Sequence, residues 1–196
     1  KVESVLNSQI QSTLSLQGNI NPNPSSFSTW VHHTPPTNRD SLVCDGVCIT
    51  HCHADHIAFL NEYINAGITV YLSQQTFDNL LLDGEIDYAE YVLGHKLKLN
   101  INEMKYKIID EQTNKIGSFN LKVKKTPGHT NDSICLYNDS DIFVGDLAFS
   151  GGGIGRVDLP TGNMISMAHS IKWLKSLPKD LICHGGHGAD FTIENF

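Results

Sequence analysis

Between Ser4 and Asn38 there is not one Asp, Glu, Lys or Arg. The same stretch holds Pro22, Pro24, Pro35 and Pro36, four of the seven prolines, among Ser, Thr, Asn and Gln. A segment so poor in charge and so broken by proline reads as loop-rich, with the alternating pieces STLSL and FSTWV as candidate strands. The chain also lacks any run of ~18 apolar residues, which excludes a membrane-spanning helix. Its first residues, KVESVLNSQIQSTLSL, lack the continuous apolar stretch of a secretory signal, so the cytoplasm or an organelle interior is the expected location. No Lys/Arg-rich run occurs, and 14 Lys+Arg against 21 Asp+Glu leave a formal charge of −7. Phosphate neutralisation needs a positive face, so no nucleic-acid partner is expected. Five cysteines (Cys44, Cys48, Cys52, Cys135 and Cys183) are too few and odd in number for a disulfide scaffold, and read as reduced thiols beside strands.

What is present suits a folded domain. Hydrophobic residues make up 40% of 196, and the 16 glycines bring the total to about 48%, within the roughly 45–50% of globular proteins. The length fits one domain: an atypical segment over 1–42, part of it or packed on it, and a main body over 43–196. Beyond residue 40, strand and helix signals alternate. Val47–Thr50 is a short apolar strand; HIAFLNEYINAG has helical spacing with Gly67 as its stop; ITVYLS is a β-branched strand followed by the helix QQTFDNLLLD. NLKVKKTP sets Leu121 and Val123 inward against outward lysines. SICLYN and DIFVGD are strands joined by a turn at Asn138, Asp139 and Ser140. ISMAHSIKWLKSLP is an amphipathic helix over 164–177 closed by Pro178, and DLICH is the last strand. Such an order indicates an α/β or α+β layered domain.

Histidine is in excess, with 10 residues, and the excess is clustered. His51-Cys52-His53-Ala54-Asp55-His56 follows the first apolar strand. In extended backbone i and i+2 point the same way, so His51 and His53 can grip one ion together. A helix starting near Asp55 would send Asp55 and His56 in a new direction, toward a second ion. Three more pieces place a ligand type at a strand end: Thr126-Pro127-Gly128-His129, Phe143-Val144-Gly145-Asp146, and His184-Gly185-Gly186-His187. Imidazole and carboxylate without a dedicated thiolate suit Zn²⁺ and tolerate iron or manganese. Cys44 and Cys48 lack a matching second pair for a zinc finger, and alternation turns Cys52 away from its neighbours. His32, His33, His95 and His169 carry no partner signal.

HCHADH, TPGHT, VGD, the segment 152–158 and GHG closely resemble the metallo-β-lactamase fold superfamily, over about residues 43–196. Within it the chain is most similar to the glyoxalase II-like (hydroxyacylglutathione hydrolase-like) enzymes. The resemblance implies an αββα sandwich with a metal centre at one edge, and two zinc ions per chain. His51, His53 and His129 would hold one ion, Asp55, His56 and His187 the second, and Asp146 would bridge them. His187, in GHG five residues before Thr192, is preferred over His184 for the last position. Asp55 and Asp146 would be the catalytic carboxylates, and Arg156 and Asp158 would support the site. A metal-bound hydroxide would then cleave a thioester or related acyl bond of a small molecule. Two alternatives stand beside it: a mononuclear iron persulfide dioxygenase using His51, His129 and Asp146, and a metal-stabilised binding protein without turnover.

The opening departs from the family pattern. Cys44-Asp45-Gly46 stands only a few residues before His51, so either residues 1–42 supply the opening strands in diverged form or that half of the sandwich is incomplete. The chain reaches Phe196 soon after GHG without the helical region that helps glyoxalase II bind glutathione, which points to a smaller or different ester. Leu82–Met104, between the ligand clusters, is a candidate cap over the site. The oligomeric state is left open.

Overall fold

A computed structural model describes residues 13–17, 44–82 and 97–196. Two sheets form. The first has the order β1-β2-β3-β4, from Thr13–Gln17, Cys44–Ile49, Val70–Leu72 and Tyr106–Ile108. The second runs β5-β6-β7-β8-β9, from Lys122–Lys125, Ile134–Tyr137, Asp141–Gly145, Ile182–Gly185 and Phe191–Thr192. Among the described residues four α-helices accompany them: α1 Ala54–Ile57, α2 Leu60–Asn65, α3 Gln74–Leu82 and α4 Met164–Leu174.

The period of two in the strands explains the layers. In β2, Val47 and Ile49 join Ile57, Leu60, Ile64 and Leu80 in a cluster on the helical side of the first sheet. The residue between them, Cys48, joins Tyr71, Val123, Leu136 and Phe143 in a cluster between the sheets. On β7, Ile142 and Val144 turn outward to Met167 and Leu174 of α4, while Phe143 turns inward. Three apolar seams between four layers make an α/β sandwich of the αββα kind. Both faces of β3, β6 and β7, and of β2 over 46–49, are buried, which is why VYL, ICLY and IFV read as nearly unbroken apolar runs.

The direction of the strands places the site. β5 and β7 are each antiparallel to β6, and β8 is parallel to β7, so β5, β7 and β8 all end at one edge. β2 ends there too: the Thr50 carbonyl accepts from the Ile134 N–H at the start of β6, at 2.9 Å.

Several expectations hold. STLSL supplies β1, which pairs antiparallel with β2; FSTWV lies outside the described residues. Gly67 ends its helix at φ +70°, a left-handed position where glycine carries no Cβ penalty. Others need correction. The helix expected from His56 is two pieces, α1 and α2, interrupted at Ala58 and Phe59, where Phe59 (φ −101°, ψ 15°) leaves helical geometry. The break lets the turn bearing Asp55 and His56 be aimed separately from the turn that packs Leu60 and Ile64. α4 starts at an Asn163 cap, whose side chain accepts from the Ser166 N–H, and it ends at Leu174 rather than 177. The described end of the candidate cap is core: Leu97 and Met104 pack against the helical side of the first sheet. Residues 83–96 lie outside the described residues.

Candidate metal centre

Each ligand type sits just past a strand end on the shared edge. His51 and His53 follow β2, Asp55 and His56 open α1, His129 follows β5, Asp146 follows β7, and His187 follows β8. All seven side chains converge. The ring centroids of His51 lie 4.9 Å from His53, 4.9 Å from His129 and 3.9 Å from His56. His53 Nδ1 and His129 Nε2 face each other at 2.7 Å. On the other side, Asp55 Oδ2 lies 3.3 Å from His187 Nε2 and 3.6 Å from His56 Nε2. Asp146 reaches both sides: Oδ1 is 3.3 Å from His56 Nε2, and Oδ2 is 3.4 Å from both His129 Nε2 and His187 Nε2. Donor atoms within 4.8 Å of one another thus form the groups His51–His53–His129, Asp55–His56–His187 and, across them, His51–His56–Asp146.

The electrostatics fit a cation. Burial, with His56 next, holds His51 well below its usual value of 6.5, and burial, with His129 next, lowers His53 to about 4. These rings are neutral donors at pH 7. Burial pushes Asp146 up, but His56 and His187 outweigh it and hold the carboxyl well below the usual range. His187 is raised to about 10 by its hydrogen bonds to Asp146 and then Asp55. His51 Nε2 is buried with no hydrogen-bond partner, an expensive state for a polar atom unless something electrophilic meets it. Nitrogen and oxygen donors of this kind match divalent zinc, iron or manganese.

Close backbone approaches make the convergence possible. A Cβ on Gly186 would overlap Asp146 Oδ1 and stand 2.8 Å from His56 Cε1. One on Gly155 would overlap the Asp146 carbonyl and stand 2.8 Å from His129 Nδ1.

Residues 38–187 match the Metallo-beta-lactamase superfamily. The chain belongs to that superfamily. It is 34% identical over 151 residues to the probable metallo-hydrolase YqgX of Bacillus subtilis, covering 75% of this chain and 70% of that one. A hydroxyacylglutathione hydrolase of Psychromonas ingrahamii is 29% identical over 157 residues, covering 79% of this chain and half of the longer relative. The solved structure of TTHA1623 in a di-iron-bound form superposes with a TM-score of 0.65 at 28% identity, covering 78% of this chain and 74% of that one. This metallo-beta-lactamase domain is thus a member of a metallo-hydrolase family, with divalent metal as the cofactor implied by its fold.

Within the superfamily domain, Arg156 touches the donor set and His184, the alternative set aside in favour of His187, does not. Arg156 supports the site through its backbone: its carbonyl accepts from His129 Nδ1 at 2.7 Å, which leaves Nε2 to face the centre. Its guanidinium instead pairs with Asp158 in solvent, at 61% and 68% exposure. His184 is no part of the cluster. It stacks on Phe143, with Nε2 3.0 Å from Asp141 and Nδ1 3.1 Å from Asp190. Cys52 packs on the helical-side core and accepts from Asn79; His169 is exposed on α4. His32, His33, His95 and the Cys44 side chain lie outside the described residues. No helix among the described residues is long and apolar enough to cross a membrane.

One contributor had no sequence signal. Thr50 Oγ1 lies 3.2 Å from His51 Nδ1, and the residue is buried. With the Nδ1 proton donated to this hydroxyl, His51 presents Nε2 inward. Thr50→Val keeps the shape and removes the acceptor, so metal affinity should fall by ~10–100-fold, as for other partners of ligand histidines. Thr50→Ser should restore it. Competition against a chromophoric chelator measures both; equal affinity in all three proteins would remove Thr50 from the site.

Proposed function

We propose that this chain is a dinuclear metal-dependent hydrolase, glyoxalase II-like, acting on a thioester or related acyl bond of a small molecule. The observation that carries the reading is the Asp146 carboxylate, within 3.4 Å of imidazoles on both sides of one seven-residue cluster. His51, His53 and His129 would hold one ion and Asp55, His56 and His187 the other, with Asp146 within reach of both groups. When bound, two divalent ions supply Lewis acidity and a water acidic enough to ionise near pH 7. Zinc suits the donor set, and the di-iron-bound structural relative makes iron the alternative to check.

The chain's own groups do the rest. Asp55, 17% exposed and flanked by His56 and His187, would accept a hydrogen bond from the attacking water and orient it. The Arg156 carbonyl keeps His129 in one tautomer. Phe149 stands beside the cluster, its ring 5.8 Å from that of His187. The water oxygen forms the new C–O bond, the C–S or C–O bond of the ester breaks, and the departing thiolate or alkoxide takes up a proton.

The test is elemental analysis of protein purified without added metal, together with turnover of generic thioesters by the wild type and Asp146→Asn. About two metal ions per chain, and a loss of at least ~10²-fold in kcat/KM for the variant, are expected from removing the shared charge. Absence of stoichiometric metal, or unchanged turnover in Asp146→Asn, would overturn the reading.

A further inference from the structure

Three large apolar side chains are carried on backbone that is anchored to the ligand loops. Phe149 lies half-buried against the His187 ring. Its N–H donates to the Gly153 carbonyl at 2.8 Å, which closes residues 149–153 into a tight loop. That loop delivers Ile154, 40% exposed, immediately before Gly155, the residue packed on His129. On the other flank α4 begins. The Asn163 N–H donates to the Gly128 carbonyl at 2.8 Å, and Gly128 rests directly on the Met167 backbone. Met164 stands one turn before Met167 on the same helical face and is 57% exposed. Apolar side chains left exposed on backbone tied to a site, as Ile154 and Met164 are, mark a surface for a ligand.

The charge around them points the same way. On the described segments 126–133, 146–170 and 185–190 the only Lys or Arg is Arg156. Its guanidinium gives two hydrogen bonds to the Asp158 carboxylate, at 3.0 and 2.8 Å. An anionic peptide portion of a thioester would find no uncommitted cation on those segments, while an alkyl chain would find three apolar side chains.

Resting on the acyl-hydrolase reading, we infer that Phe149, Ile154 and Met164 form an apolar rim that receives the acyl chain. The preferred substrates are therefore uncharged, apolar acyl esters of a small thiol or alcohol, rather than glutathione thioesters.

Metal-loaded full chain is assayed with acetyl, butanoyl, hexanoyl and octanoyl thioesters of N-acetylcysteamine, and with S-lactoylglutathione. The expected kcat/KM rises by about twofold to fourfold per methylene over the first few, the worth of partly to fully burying a CH₂. It should exceed that for S-lactoylglutathione from butanoyl onward. Ile154→Asp and Met164→Glu, both at exposed positions, should flatten the rise with metal content unchanged. Turnover that is flat with chain length, a slope unchanged in both variants, or a preference for S-lactoylglutathione would overturn the rim while leaving the hydrolase intact. Metal-loaded protein that turns over none of the esters overturns the hydrolase reading, and the rim with it.

Discussion

Gly186→Ala is expected to strip the centre of function while leaving the domain folded. Gly186 is outside the left-handed region, so alanine there carries no backbone strain. Its methyl group, however, would overlap Asp146 Oδ1 and press on His56 Cε1 at 2.8 Å. Those two side chains belong to the groups on both sides of the cluster, so neither can move without disturbing the other ligands. Overpacking costs about 1–3 kcal/mol of stability. Misplacing a reacting group by ~1 Å can cost ~10²-fold in rate, and the variant should lose at least that in kcat/KM along with one or both metal ions. Gly151→Ala is the contrast. Nothing lies within 4 Å of its Cβ position, but its φ is +78°, so it should lower stability while keeping the metal. Metal content and thermal melts of both variants decide. Normal metal content in Gly186→Ala would mean that Asp146 and His56 do not sit where the geometry requires them.

The parts of this centre that could be read from the sequence are those that chemistry marks by residue type. His51, His53, Asp55 and His56 crowd into six residues, and His129, Asp146 and His187 each stand just past a strand. Strand direction then does the gathering, because β5, β7 and β8 run the same way and β2 is tied to β6 through Thr50. What escaped was whatever depends on backbone atoms or on space. Arg156 was expected to support the site, and the group that does so is its carbonyl, on His129. A one-letter code shows side chains and says nothing of which carbonyl faces inward. Gly186 reads as one more small residue in GGH until the neighbouring carboxylate is placed. The break at Ala58 and Phe59 was hidden because Leu60, Tyr63 and Ile64 continue the apolar spacing of Ile57 across it. Periodicity records which face is buried, and two short helices on one sheet bury the same face as a single long one.

Metal uptake by chelator-stripped protein should occur in two steps with different pH slopes. His51, His53 and His129 are all held below 6.5, mainly by burial, so they offer neutral nitrogens at pH 7 and release no proton on binding. His187 is the opposite, raised to about 10 by Asp146 and Asp55, and must give up its proton before it can bind metal. Affinity on its side should therefore climb by ~10-fold per pH unit, about 100-fold between pH 7 and 9, while the other side stays level. Stability of the stripped protein follows from the same groups, with opposite signs. The depressed histidines contribute fully above 6.5 and lose that contribution as pH falls; for His53, lowered to about 4, the loss is about 3 kcal/mol. His187 contributes fully below 6.5 and loses its contribution as pH rises toward about 10. The stripped protein should be most stable near pH 6.5 and weaken on both sides. Metal-loaded protein should lack the alkaline loss, because its His187 proton is already gone. Calorimetric metal titrations at pH 7 and 9 in buffers of different ionisation enthalpy count the released protons directly. Equal slopes for both steps, or an alkaline loss that survives metal loading, would show that His187 is not a ligand. With His187 placed instead, Asp55 and Asp146 have two alternative cations to neutralise them, a proton on that imidazole or a metal ion, and pH sets which one they keep.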